Sequence, residues 1–169
     1  LGLIGGSVAR AVHGAGWRVP AWTPGGAGPR AALEAGVIEV AAASIPEAVR
    51  DAELVILAAP AGACVDLLDQ LAVTARGALA QGAVITDVAS TKALVVARAA
   101  GLGLRFVGGH PMAGRETSGF GAADAGLFRG RPWVVVPPDD ADEAALLAVE
   151  ALAGACGAHP LRMTPAAHD

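Results

Sequence analysis

Leu54-Val-Ile-Leu-Ala-Ala-Pro60 is an unbroken apolar run closed by a proline. It lacks the apolar/polar alternation of a sheet with one wet face. A strand buried on both faces of a parallel sheet reads this way. Ligands in open α/β sheets bind outside the carboxyl ends of such strands, which places Pro60 at a candidate binding edge. Downstream, Cys64, Leu67, Leu68, Leu71 and Ala75 recur at helical spacing, so an amphipathic helix to about Arg76 follows the strand.

The same alternation extends in both directions. Upstream, Leu1-Gly-Leu-Ile-Gly-Gly-Ser7 reads as a strand end and tight turn, with helical character over Ser7–Ala15. Gly2 and Gly5 fit the last two glycines of G-x-G-x-x-G, the first lying before Leu1. Gly2 would let the backbone approach a pyrophosphate, and the helix N-terminus offers free N–H groups. Trp17–Trp22 is the next expected strand, followed by short helices at Pro29–Ala35 and Pro46–Arg50 (the latter capped by Ser44) around a strand at Val37–Ala41. A dinucleotide fold usually carries an acid about 20 residues after the glycines, to hold the adenosine ribose. The region Ala21-Trp-Thr23-Pro-Gly-Gly26 has none, which leaves room for a 2′-phosphate. Arg30 is the only nearby cation, and a solvated helix residue is its plainer reading.

Downstream, Ala83–Thr86 is a strand running into Asp87-Val-Ala-Ser-Thr-Lys92 and a helix at Ala93–Ala100. Ser90 or Thr91 can cap that helix. Alternatively, a hydroxyl and the only lysine of the chain stand at a strand's carboxyl end to serve a ligand. Arg105–Val107, Trp133–Val136 and Leu161–Met163 are further strands, Asp142–Ala155 a helix, and Thr164-Pro165 opens another. The succession predicts an α/β, doubly wound, mostly parallel sheet with helices on both faces and a first strand largely truncated.

Bulk properties narrow the function. With 169 residues, 54% of them hydrophobic, the chain suits one domain with a sizeable core. A net charge of -4 makes a nucleic-acid footprint unexpected. No apolar run reaches the roughly 18–20 residues of a membrane span. Cys64 and Cys156 have no ligand spacing, so reduced thiols, a cytoplasmic setting and no metal are expected. Both ends look cut, as in a fragment of a longer protein.

One segment does not suit a core. Gly108–Phe120, GGHPMAGRETSGF, sets one of four histidines among glycines directly after a strand. A loop that presents an imidazole to a ligand explains it. The order LGLIGGS (1–7), LVILAAP (54–60), DVASTK (87–92), GGHPMAGRETSGF (108–120), LFRGRPWVVVPP (127–138) and AAHD (166–169) resembles the prephenate/arogenate dehydrogenase family across essentially the whole chain. HPMAG-x-E-x-SG together with DVASTK carries most of that resemblance.

The resemblance implies a Rossmann-type dinucleotide-binding domain over 1–163 and the start of a helical dimerisation domain at 164–169. It implies oxidative decarboxylation of prephenate with hydride transfer to NAD or NADP, in tyrosine biosynthesis, and a homodimer formed through the helical domain. Arogenate as substrate, or a non-catalytic NAD(P)-binding regulatory module, are the alternatives. His110 matches the family's catalytic base, and Ser90 its neighbour contacting the substrate hydroxyl and nicotinamide. Glu116 matches an acid at the substrate entrance and His168 a histidine near the active site. Gly2, Leu3, Ile4, Gly5, Thr23, Pro60 and Ser90 fall at cofactor-binding positions. Arg115 stands where the family has a small or polar residue and takes no substrate role.

Overall fold

The structure is a computed structural model that describes residues 1–139 and 141–169. Its elements alternate as expected: α1 (Leu3–Gly14), β1 (Pro20–Ala21), α2 (Ala27–Glu34), β2 (Val40–Ala41), α3 (Ile45–Ala48), β3 (Leu54–Leu57), α4 (Ala61–Gln70), β4 (Val84–Asp87), α5 (Ala93–Gly101), β5 (Gly108–Pro111), β6 (Pro132–Val136), α6 (Glu143–Ala155), β7 (His159–Arg162) and α7 (Pro165–His168). A π-turn at Leu71–Ala75 and a 3-10 turn at Arg76–Ala78 prolong α4 to the end of the expected helix.

β1 and β2 form a parallel pair, and β3 and β4 another with Leu57 opposite Asp87. β4 continues into the next strand through a parallel bridge between Ile85 and Phe106, with Ile85 N donating to Arg105 O at 2.8 Å and Val107 N to Ile85 O at 3.0 Å. β5 then pairs antiparallel with β6, and β6 parallel with β7. The sheet is thus mostly parallel, with one antiparallel joint where β5 meets β6.

Both faces are covered, and the strands divide their side chains by the period of two. On β6, Val134 and Val136 join Val55, Leu57 and Ile85 in a core with Leu68 of α4 and Val95 of α5. Trp133 and Val135 point the other way, into a core with Val84, Val8 of α1 and Val149 of α6. This is the doubly wound arrangement, and it explains why β3 and β6 read as continuous apolar runs.

Some boundaries differ from the sequence reading. α1 starts at Leu3, not Ser7, because Gly2 is already its N-cap. Gly5 and Gly6 are therefore helical, and both are needed for close packing. A Cβ on Gly5 would lie 2.7 Å from Ala58 Cβ, and one on Gly6 would lie 2.8 Å from Ala123 Cβ. The strands expected at Trp17–Trp22 and Val37–Ala41 shrink to two paired residues each. The last strand lies at His159–Arg162, earlier than the expected Leu161–Met163.

Candidate active site at the carboxyl edge of the sheet

The register of β3 and β4 puts their carboxyl ends level. Pro60 and Ser90 each lie three residues beyond those ends and so share one edge. β5 runs on from the segment paired with β4, bringing His110 to the same edge. His110 is therefore on a strand, opposite Val134, and not in the loop that its glycines suggested. The loop proper begins after Pro111.

Gly109 is glycine for a steric reason. A Cβ there would be 2.6 Å from Asp87 O, 3.0 Å from Thr86 Oγ1 and 3.0 Å from Trp133 Nε1. The backbone of β5 is consequently pressed against the end of β4. A clasp holds it there. Gly109 N donates to Asp87 Oδ1 at 3.0 Å, and Lys92 Nζ donates to Gly109 O at 2.9 Å and pairs with Asp87 Oδ2. Lys92 and Asp87 side chains are fully buried. The lysine that the sequence placed at this strand end for a ligand is engaged in a buried salt bridge. Burial pulls its pKa below the ordinary value, and Asp87 opposes that shift.

The helix after this strand is not capped as expected. Lys92 is the N-cap of α5 and supplies no side-chain cap bond. Neither Ser90 nor Thr91 caps it. The cap comes from the far end of the chain: Asp169 Oδ1 accepts from Lys92 N and Oδ2 from Ala93 N, each at 2.8 Å. The Ser90 hydroxyl, freed of that task, is exposed and makes no hydrogen bond among the described residues.

The same carboxylate reaches His110 through a second imidazole. Asp169 Oδ1 lies 2.7 Å from His168 Nδ1, and His168 Nε2 lies 2.9 Å from His110 Nδ1. The rings meet edge to face, their centroids 5.1 Å apart. The His168 side chain, only 6% exposed, is thus brought into direct contact with His110. Burial lowers the His110 pKa below its ordinary 6.5, the neighbouring His168 and Lys92 lower it further, and Asp87 opposes the shift. His110 is held neutral near pH 7, able to accept a proton.

The candidate cofactor positions fall as a group. Gly2, Leu3, Ile4 and Gly5 form the first turn of α1, with no side-chain cap and no acid in that turn. A Cβ on Gly2 would meet nothing within 4 Å. Free N–H groups facing open space are what an anionic diphosphate requires, and the residues fit one. Gly5 packs on Ala58, which ties this turn to Pro60, the N-cap of α4. Thr23 follows β1, in the stretch Ala21–Gly26 that carries no acid. Arg30 folds back on the adjoining turn, its Nη2 donating to Gly25 O at 2.9 Å.

Glu116 is exposed and bonds to no other described residue, so the structure does not bring it to His110. Arg115 pairs with Asp124 at 2.5 Å, consistent with its exclusion from a substrate role. A cleft of about 970 Å³ lies at the other end of α1 between Arg10, His13, Gly36 and Ser118, and neither His110, Ser90, His168 nor the Gly2–Gly5 turn lines it. Burial pushes the Cys64 and Cys156 thiols up to about 11 and about 12, so neither is a nucleophile. Asp169 and Asp87 went unassigned in the sequence reading. The signal for the first was a carboxylate adjoining a candidate site histidine. For the second it was an acid at a strand end, five residues before the only lysine.

Comparison with known proteins agrees with this geometry. The model of the family described as "Prephenate dehydrogenase, nucleotide-binding domain" matches residues 26–161. The chain is 36% identical over its whole length to a prephenate dehydrogenase of Bacillus subtilis, covering 46% of that protein. It superposes on prephenate dehydrogenase of Aquifex aeolicus, solved with hydroxyphenyl propionate and NAD+, at TM-score 0.84 and 27% identity, covering 99% of this chain and 58% of the other. Arogenate dehydrogenase of Synechocystis gives TM-score 0.87 and 27% identity, with coverage of 99% and 59%. The chain spans about half the length of the curated relative that it matches end to end. On the family model and the full-length identity, this chain belongs to the prephenate dehydrogenase nucleotide-binding domain family.

Proposed function

We propose that this domain is the catalytic and nucleotide-binding part of a prephenate dehydrogenase that uses NAD+ or NADP+. The observation that carries the reading is a neutral histidine, bonded through Nδ1, at the sheet edge that also holds an uncapped helix N-terminus. The proposed reaction is oxidative decarboxylation of prephenate to 4-hydroxyphenylpyruvate. The oxidised nicotinamide, when bound, accepts hydride from the ring carbon that bears the hydroxyl. His110 takes the hydroxyl proton as that carbon becomes a carbonyl. The ring carboxylate leaves as CO2, and its bonding electrons complete the aromatic phenol.

The roles of the other residues are part of the same proposal. The first turn of α1, Gly2 to Gly5, binds the diphosphate, with Pro60 and Thr23 lining the cofactor's path. Ser90, its hydroxyl not used in capping, contacts the substrate hydroxyl beside His110. His168 supports His110 from the opposite side, and Glu116 belongs to the substrate entrance. Residues 1–163 form the Rossmann domain, and Thr164 opens a helical domain through which the protein dimerises. No helix among the described residues is long and apolar enough to cross a membrane, and we place the protein in the cytoplasm. The missing acid after β1 supports acceptance of NADP+ alongside NAD+. A relative titled arogenate dehydrogenase matches comparably, and arogenate requires the same chemistry at the ring.

Steady-state kinetics of the complete protein test this directly, with prephenate and arogenate each against NAD+ and NADP+. His110→Asn is expected to lower kcat by about 10²–10⁴-fold, the usual contribution of a general base, with cofactor binding retained. Near-wild-type turnover by that variant, or no turnover of either substrate by the wild type, would overturn the assignment.

A further inference from the structure

We infer that Asp169 is a positioning residue that fixes the tautomer of His110 by way of His168, leaving His110 Nε2 with the free lone pair. The inference concerns the same site and rests on His110 being the base. It follows from donor and acceptor bookkeeping along one chain of contacts.

An ionised carboxylate only accepts hydrogen bonds. Asp169 is ionised above about pH 2, its pKa lowered by the N–H of Ala93, then by His168 and the N–H of Lys92. His168 Nδ1, at 2.7 Å from that carboxylate, therefore carries the proton. A neutral imidazole has one donor and one acceptor nitrogen. His168 Nε2 is then the acceptor, and His110 Nδ1, at 2.9 Å, must donate to it. That leaves His110 Nε2 unprotonated, and it makes no hydrogen bond within the described residues. Of the two ring nitrogens, this is the one that can receive a substrate proton. The other charged groups near His110 are Lys92 and Asp87, which are committed to each other and to Gly109.

The carboxylate cannot swing away easily, because both its oxygens also cap α5. One side chain thus anchors a helix and orients two imidazoles. Removing the carboxylate exposes the dependence. Oδ1 serves His168 Nδ1 and Lys92 N at once, and in Asp169→Ala neither has that acceptor. Either nitrogen of His168 can then carry its proton. Where His168 Nε2 carries it, His110 Nδ1 must accept and His110 Nε2 carries hydrogen. The base is blocked in that share of the molecules.

The test uses the complete protein labelled with 15N-histidine. The wild type is expected to give the Nδ1–H form of His110, with an unprotonated Nε2 signal. Asp169→Ala is expected to give a mixture of the Nδ1–H and Nε2–H forms and to lower kcat at least twofold, with the KM for cofactor unchanged. A pure Nδ1–H form of His110 in that variant overturns the inference, whatever the activity. Should Asp169→Ala fail to fold, His168→Phe keeps the cap and removes the acceptor. It should leave His110 a mixture of tautomers, and a pure Nδ1–H form there would likewise overturn the inference. If the wild type turned over neither prephenate nor arogenate, the functional reading would fail, yet the tautomer comparison would still decide the relay.

Discussion

Lys92 and Asp87 show how one buried ion pair positions a catalytic candidate that neither of them touches. Their charges are fully buried and mutually satisfied, and both also bond the backbone of Gly109. Breaking such a pair strands a charge in the core, at a cost of about 3–5 kcal/mol. Lys92→Met should therefore lower the unfolding free energy by an amount of that order, seen as a lower urea midpoint. Adding Asp87→Asn removes the stranded charge while keeping an acceptor for Gly109 N, and should restore part of the loss. Equal midpoints for wild type and Lys92→Met would refute a structural role for the clasp. At this scale the sequence was legible where a residue type matched a chemical need. His110 and His168 stood out, and they touch. What was not legible was connectivity: Ser90 and Thr91 had the right chemistry for a cap, but the carboxylate that does the capping lies 76 residues away in sequence from Ala93.

At the scale of elements, the glycines of α1 divide into those that a neighbour requires and those that none does. Gly5 faces Ala58 at the end of β3, and a methyl group there would push the helix off the strand that leads to Pro60. Overpacking of this kind costs about 1–3 kcal/mol, more than alanine gains over glycine inside a helix, about 1 kcal/mol. Gly5→Ala should lower the melting temperature and weaken nucleotide binding. Gly14→Ala, where nothing lies within 4 Å of a Cβ, should raise it slightly. Thermal melts with and without NAD+ make the comparison, and a stabilised Gly5→Ala would contradict the packing argument. Elements were well read from the sequence when periodicity and caps agreed, as for α6 with its Asp142 cap. Strand lengths were not, because short segments such as Trp17–Trp22 look alike whether or not a neighbour pairs with them. The antiparallel joint of β5 with β6 left no trace in composition either.

Across the whole molecule, acid is expected to act in two stages. His110 is held below its ordinary 6.5 in the folded state, so the unfolded chain binds that proton more readily. Its contribution is present above 6.5 and declines as the pH falls through that value. The lowered carboxylates act further down. Asp142, beside Arg105, and Asp169 are both held at about 2 against an ordinary 3.8, so their contribution is present above 3.8 and is lost as pH falls towards about 2. Urea midpoints measured from pH 8 to pH 2 should drift down below 6.5 and fall more steeply below 4. A profile flat between pH 7 and pH 3 would contradict both parts. The overall architecture was the most legible feature, since alternating strands and helices with doubly buried runs admit few arrangements. The location of the site followed from it, because register sets which residues end up level at one edge.

The cap on α5 also has a meaning in time. A ribosome delivers a chain from its amino end, so α5 and His110 emerge long before the residues that complete them. His110 waits 58 residues for His168, and Ala93 waits 76 for Asp169. Until then the imidazole has no fixed tautomer and the helix start is open to water. The chemistry of this edge is thus completed only once the segment at 168–169 has been made, well after the strands that carry the rest of it.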